Sequence, residues 1–234
     1  MSQRTIDLNA DLGEGFPNDA ALLARVSSAS IACGGHAGDT EIMARAFAEA
    51  QRHGVALGAH PGYPDRQEFG RRELQLPPLE IERLILEQVA FIRSVANPRG
   101  VAIRFVKPHG ALYNQAQKDG EVAAAVVAAL LKLQCPLLGQ PGSLLEAPAR
   151  DAGVRYITEG FPDRRYRADG RLVPRSEAGA ILHDPAEIEA QVVRLVEQGV
   201  MTLCIHGDDP RAVANADTVR AILDRHGIAL GSFV

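Results

Sequence analysis

The chain of 234 residues is 46% hydrophobic and 23% charged, an ordinary globular composition close to the upper size for one hydrophobic core, so a single domain over 1–234 is expected. Its net charge of −4, with both signs interspersed, excludes a surface built for polyanions, and neither nucleic acid nor membrane is an expected partner. Three cysteines without a C-x-x-C pair, an N-terminus (MSQRTIDLNADLGEG) with no apolar signal core, and a longest apolar run, Val122 to Leu131, too short to cross a bilayer together predict a cytoplasmic protein.

Taken in chain order, short β-branched or apolar runs alternate with amphipathic stretches. TIDLNA (5–10) and SASIAC (28–33) read as strands. A helix follows, capped by Asp39, with Ile42, Ala46, Phe47 and Ala50 inward and Gly54 as its stop. The strand VALGA (55–59) leads through a long loop to a helix from Pro78 to Asn97, which ends before Pro98. Four further strands are IRFVK (103–107), PLLGQ (136–140), VRYIT (154–158) and TLCIH (202–206). Between the last two, Asp184 caps a helix that has Pro185 at its first position and ends at Gly199. A final helix runs from Asp209 to Gly227. Seven strands in βα alternation predict a parallel sheet wrapped by helices, an α/β fold.

Chemistry stands at every strand end. In order come Asn9, Asp11 and Glu14; His36 and Asp39; His60; Lys107 and His109; Gln140; Glu159; His206 and Asp208. Loops after the carboxyl ends of parallel strands gather on one face, so these residues are predicted to converge at a barrel mouth. Four of the seven histidines lie at strand ends, while His53, His183 and His226 sit at helix ends. The carboxylates and imidazoles could act as general acids and bases. Equally, three of them could hold a divalent metal that activates water, although no compact ligand motif selects one. A charged Lys107 is expected to orient or polarise a substrate, whereas Cys33 and Cys204 are expected as buried small hydrophobes. No G-x-x-x-x-G-K-[ST] or G-x-G-x-x-G occurs, so the residues themselves indicate no nucleotide site.

Two loops, 60–78 and 159–183, exceed ordinary βα connections and are predicted to be functional lids. In the second, Asp169-Gly170 reads as the turn of a hairpin carrying Arg164, Arg165, Arg167, Arg171 and Arg175. Those arginines either fold over the pocket, where one would suit a carboxylate, or form a solvated face with Asp163 and Asp169.

IDLNADLGEGF, SSASIACGGHAGD, GVALGAHPGYPD with EFGRR, VKPHGALYN, DRRY-x-x-DG-x-LVPRS and HGDDP resemble, in the same order, the motifs of the LamB/YcsF family, the A subunit of prokaryotic ATP-dependent 5-oxoprolinase. The resemblance implies a TIM-like seven-stranded (β/α) barrel akin to that of the polysaccharide deacetylases. It also implies cleavage of 5-oxo-L-proline to L-glutamate, coupled to hydrolysis of ATP to ADP and phosphate, in a complex with two other subunits. Carried over by position, it implies catalysis by Asp11, Lys107, His109 and Asp208. Substrate binding would fall to Asn9, Glu14, His36, Asp39, His60, Asn114, Arg164, Arg165, Tyr166, Arg175 and His206. Ala10 stands where the family has cysteine, Gly35 where an aromatic is frequent, Gln140-Pro141 in place of leucine-alanine, and Asp209 in place of asparagine. The alternatives are a stand-alone metal-dependent amidohydrolase or deacetylase, and a non-catalytic subunit that captures the lactam.

Overall fold

In TIDLNADL the side chains alternate about the pleat, so that Ile6, Leu8, Ala10 and Leu12 join the apolar layer under the helices. The intervening Asp7, Asn9 and Asp11 turn into the barrel, where Asn9 meets Glu159 and Asp11 meets Lys107 on strands that are not neighbours. A computed structural model describes residues 4–174 and 177–234. Its strands are β1 (Thr5–Leu12), β2 (Ser28–Ala32), β3 (Ala56–His60), β4 (Ile103–Val106), β5 (Leu137–Gly139), β6 (Tyr156–Gly160), β7 (Thr202–His206) and β8 (Ala229–Leu230). The first seven run parallel, and β1 pairs with both β2 and β7, closing a (β/α) barrel. The seven predicted strands are therefore all present. The unforeseen β8 pairs only with Thr5 and Ile6.

The helices are α1 (Asp19–Leu23), α2 (Thr40–His53), α3 (Pro78–Ala96), α4 (Gly110–Ala116), α5 (Gly120–Leu133), α6 (Glu146–Asp151), α7 (Pro185–Glu197) and α8 (Ala212–Arg225). Asp39 caps α2 by accepting from the Glu41 and Ile42 amides at 2.9 and 2.8 Å, and Gly54 ends it at φ 67°. On α2, Ala46, Phe47 and Ala50 are buried as expected, and Met43 is buried with them, while Ile42 is only half-buried. Asp184 accepts from the Ala186 amide ahead of Pro185, as expected. Two boundaries differ from the sequence expectation. The chain continues past Asn97 through Pro98 as a single 3-10 turn, because proline is tolerated at the first positions of a turn. Asp209 is spent on the Arg211 amide, so α8 begins only at Ala212. The apolar run Val122 to Leu131 lies within α5, whose cap is Asp119.

Phe105, Leu138 and Ile157 form a separate apolar plug together with Met201, Phe233 and Val234. Gly58 on β3 lies against the Phe105 ring, leaving no room for a side chain there. Above this plug the lumen is polar, unlike the branched aliphatic layers that fill most barrels of this type. Among the described residues, no helix is long and apolar enough to cross a membrane.

Candidate active site

The lowest polar layer is built on Asp7, whose carboxylate accepts from the Ser27, Ser28 and Thr202 hydroxyls at 2.7, 2.8 and 2.5 Å. Burial nevertheless outweighs those bonds and pushes its pKa up to about 6. Thr202 in turn accepts from Asn9 at 2.7 Å. Asn9 links this layer to the next by donating to Glu159 Oε1 at 3.0 Å.

Lys107 occupies the centre of the barrel. Its Nζ lies 2.9 Å from Asp11 Oδ1 and 2.8 Å from Glu159 Oε1, and 3.0 Å from Cys204 Sγ. Burial alone would depress the ammonium pKa, but the adjacent Asp11 and Glu159 carboxylates hold it well above the ordinary value. Lys107 is thus a charged donor and not a free amine nucleophile. Glu159 is completely buried, and burial raises its pKa against the pull of Lys107; its second oxygen accepts from Tyr113 at 3.1 Å. Burial also raises the thiols, Cys204 well above its usual value and Cys33 to about 12, which agrees with their expected role as inert small hydrophobes.

Four successive strand ends meet at the mouth. Glu14 Oε1 lies 3.3 Å from His36 Nε2, 3.3 Å from His109 Nδ1 and 3.9 Å from His60 Nε2. His36 stacks on His109 with centroids 3.6 Å apart and planes inclined by 3°, while His60 meets His109 edge-on. Asp11 Oδ2 lies 3.6 Å from His60 Nε2 and joins this cluster to Lys107. Burial drives His36 down to about 4 and His60 well below its usual value. For Glu14, burial opposes ionisation, but the adjoining His109 and His36 rings prevail and hold it well below the carboxylate range.

The first long loop, 61–77, closes over this cluster. The Phe69 carbonyl accepts from His109 at 2.9 Å, and the Phe69 ring packs edge-on against His36 and His109. Phe69 holds φ 54°, a conformation that costs about 1 kcal/mol for a residue with Cβ. Arg71 lies over the Phe69 ring and forms an ion pair with Asp208, tying this loop to the end of β7. Gln88 on α3 clamps the Gly62 amide and carbonyl at 3.1 and 2.7 Å. The same Gln88 amide fills the space a side chain at Gly35 would need, so the family's frequent aromatic has no vacancy here.

The structure therefore gathers Asn9, Asp11, Glu14, His36, His60, Lys107 and His109 in one buried network. His206 is half-exposed and stacks on Phe161 at 5.3 Å, and Phe161 also lies beneath Lys107. Asp39 is committed to capping α2, and Asn114 is exposed on α4. The hairpin at Asp169-Gly170 forms, with Tyr166 opposite Leu172. Its exposed arginines keep to local partners, Arg165 with Glu187, Arg167 with Glu177 and Arg171 with Asp169. Arg164 is buried and bonds to the Val173 carbonyl of the opposite arm, while the Tyr166 hydroxyl accepts from the Phe161 amide. Arg175 lies outside the described residues. Residues absent from the expected catalytic and binding set are Arg71, Phe69, Glu159 and Tyr113. Of these, Glu159 alone stands in the strand-end series expected at the mouth.

A closed parallel barrel whose mouth carries an ammonium, carboxylates and imidazoles defines a TIM-like (β/α)7 protein equipped for acid-base chemistry. Residues 6–234 match the LamB/YcsF family, and the chain belongs to it. It is 45% identical to a protein of Azorhizobium caulinodans named as the A subunit of 5-oxoprolinase, over 98% of each chain. The structure of a lactam utilization protein from Thermus thermophilus superposes with a TM-score of 0.90 at 38% identity, covering 98% of this chain and 100% of that one. The catalytic domain of a peptidoglycan N-acetylglucosamine deacetylase from Eubacterium rectale shares the fold alone, with a TM-score of 0.55 at 11% identity, over 99% of this chain and 89% of that one.

Proposed function

We propose that this chain is the lactam-handling subunit of an ATP-dependent 5-oxoprolinase. It would act in the cytoplasm with two other subunits to convert 5-oxo-L-proline and water to L-glutamate, with ATP hydrolysed to ADP and phosphate. The observation that carries this reading is the charged Lys107 held against Asp11 beneath the mouth, in a chain whose relatives bear that name. A five-membered lactam is a resonance-stabilised amide with a poor leaving group. Opening it requires charge stabilisation on the carbonyl oxygen and a base for the attacking water. Lys107 is the donor for that oxygen, Asp11 the base that then returns the proton to the departing nitrogen, and His109 orients the cluster beside it. Arg71 can exchange its Asp208 partner for the substrate carboxylate, with Asp208 then available as a relay.

The mouth itself does not fit a triphosphate. Asp11, Glu14 and Glu159 crowd it, and Lys107 is already engaged by two of them. We therefore assign ATP to the partner subunits and derive no step through it here.

The test is ATP-dependent glutamate release from 5-oxoproline, by the chain alone and mixed with its two partners. Activity only in the mixture, lost in folded Asp11→Asn and Lys107→Ala variants that still bind the lactam, is the expected result. That outcome also excludes a capture subunit without catalysis. Inactivity with folded, associated partners would overturn the reading in favour of a stand-alone hydrolase.

A further inference from the structure

The hydrogen-bonding partners of two histidines fix where their protons are. His60 Nδ1 lies 2.8 Å from the Lys107 carbonyl, and His109 Nε2 lies 2.9 Å from the Phe69 carbonyl. A carbonyl oxygen only accepts, so both outer nitrogens carry hydrogen. In neutral rings the inner nitrogens, His60 Nε2 and His109 Nδ1, are then bare lone pairs. They face one another at 3.0 Å. Glu14 Oε1, another acceptor, stands 3.9 and 3.3 Å from them. Three acceptors converging in a buried site repel unless something positive lies between them.

Acidic groups crowd the same place: Asp11 and Glu159 lie against Lys107, and Glu14 lies against the buried histidines.

We propose that Glu14, His60 and His109 form a binding site for a divalent transition metal of the zinc class, with Asp11 beside its fourth position. Tetrahedral ligands at zinc bond lengths stand about 3.3 Å from one another, and the three atoms here are 3.0, 3.3 and 3.9 Å apart. The fixed outer hydrogen bonds to backbone carbonyls are the usual support of metal-ligating histidine. His36 is close enough to be counted with them, but its ring is parallel to that of His109 at 3.6 Å. Two stacked rings cannot both aim in-plane lone pairs at one ion. His36 instead donates from Nε2 to Glu14 at 3.3 Å, leaving its Nδ1 without a hydrogen-bond partner. The cation would join the loops after β1, β3 and β4, and as a Lewis acid it would serve polarisation of a carbonyl at the mouth.

This inference rests on geometry and not on the lactam reading, and its test needs no turnover. The full chain is stripped with a chelator, checked for folding by circular dichroism, and titrated with zinc or cobalt(II). One equivalent is expected to bind, with a raised Tm and the intense visible bands of four-coordinate cobalt. His109→Ala and Glu14→Gln are expected to weaken binding by more than about a hundredfold, and His36→Gln by about ten to a hundredfold with the stoichiometry kept. A folded, stripped chain that takes up no cation at millimolar concentration would overturn the proposal. So would imidazole nitrogen-15 spectra, unchanged by added metal, that show a second proton held between His60 and His109.

Discussion

The two long loops of this protein resemble each other in sequence and differ in what they do. Both follow a barrel strand, both are rich in arginine and glycine, and both are long enough to be lids. Residues 61–77 close the barrel: Phe69 gives its carbonyl to His109, and Arg71 reaches Asp208 across the mouth. Among the described residues of 161–184, Phe161 supports Lys107 and His206 at the start of the loop. Further along, the described arginines Arg165, Arg167 and Arg171 pair with Glu187, Glu177 and Asp169. A lid is made by a backbone that fits over a site, and arginine content alone does not make one. The difference can be tested at matched positions.

The largest contrast is expected at glycine. Gly70 (φ 63°) lies so close to the cluster that a Cβ would stand 2.8 Å from His36 Cβ and 3.1 Å from His109 Cδ2. Gly70→Ala therefore combines left-handed strain with overpacking, about 3 kcal/mol or more of stability by denaturant melting. Glutamate release should fall by at least about a hundredfold, since a displacement near 1 Å suffices for that. Gly170 in the hairpin has a similar φ of 82° but open space around it, so Gly170→Ala should cost only about 1 kcal/mol, with activity kept. Equal losses at the two positions would break the comparison.

The floor of the barrel supplies a baseline that neither loop reaches. Asp7 has its pKa raised to about 6 in the folded chain, against 3.8 unfolded. Between these values the folded state binds more protons, so this residue's contribution to stability is full below about pH 4 and is lost as pH rises through 6. The loss amounts to about 3 kcal/mol at most. In denaturant melts across this range, Asp7→Asn should abolish that component of the slope, and the Gly70 and Gly170 variants should retain it. A slope unchanged by Asp7→Asn would place the titration elsewhere.

How much of this was legible beforehand follows from the range over which each feature is determined. The strands and the caps at Asp39 and Asp184 were readable because alternation and capping act over a few residues. The convergence of Asp11, His60, Lys107 and His109 was readable too, because parallel barrels collect their strand ends on one face. The direction of the arginines was not. Arg165 and Arg71 look alike in sequence, yet one pairs with Glu187, 22 residues away on α7, and the other with Asp208, 137 residues away after β7. Glu159 was visible as a strand-end acid, but its contact with Lys107 depends on barrel closure. Cluster geometry depends on the folded barrel as well, since a stacked His36 and an edge-on His60 are indistinguishable as letters.

Arginine substitutions sharpen the comparison at its smaller end. The Arg71 side chain is 45% exposed, so the Asp208 pair should be worth no more than about 1 kcal/mol. Its expected effect is kinetic: Arg71→Ala should lower kcat/KM for 5-oxoproline about tenfold, and combination with Asp208→Asn should be less than additive because one contact is being removed twice.

Arg167 is the counterpart with the smallest effect. Its guanidinium lies 2.5 Å from Glu177 with both side chains about half-exposed, a geometry that looks as strong as the Arg71 pair. Solvent screening and the entropy of holding two long side chains offset most of that attraction, so Arg167→Ala should shift stability by no more than about 0.5 kcal/mol. Because Arg167 pairs with Glu177 away from the mouth, kcat/KM should be unchanged within error. A tenfold loss in Arg167→Ala, with the fold intact, would mean that the hairpin turns over the mouth during turnover, and the second loop would then have to be counted as a lid after all.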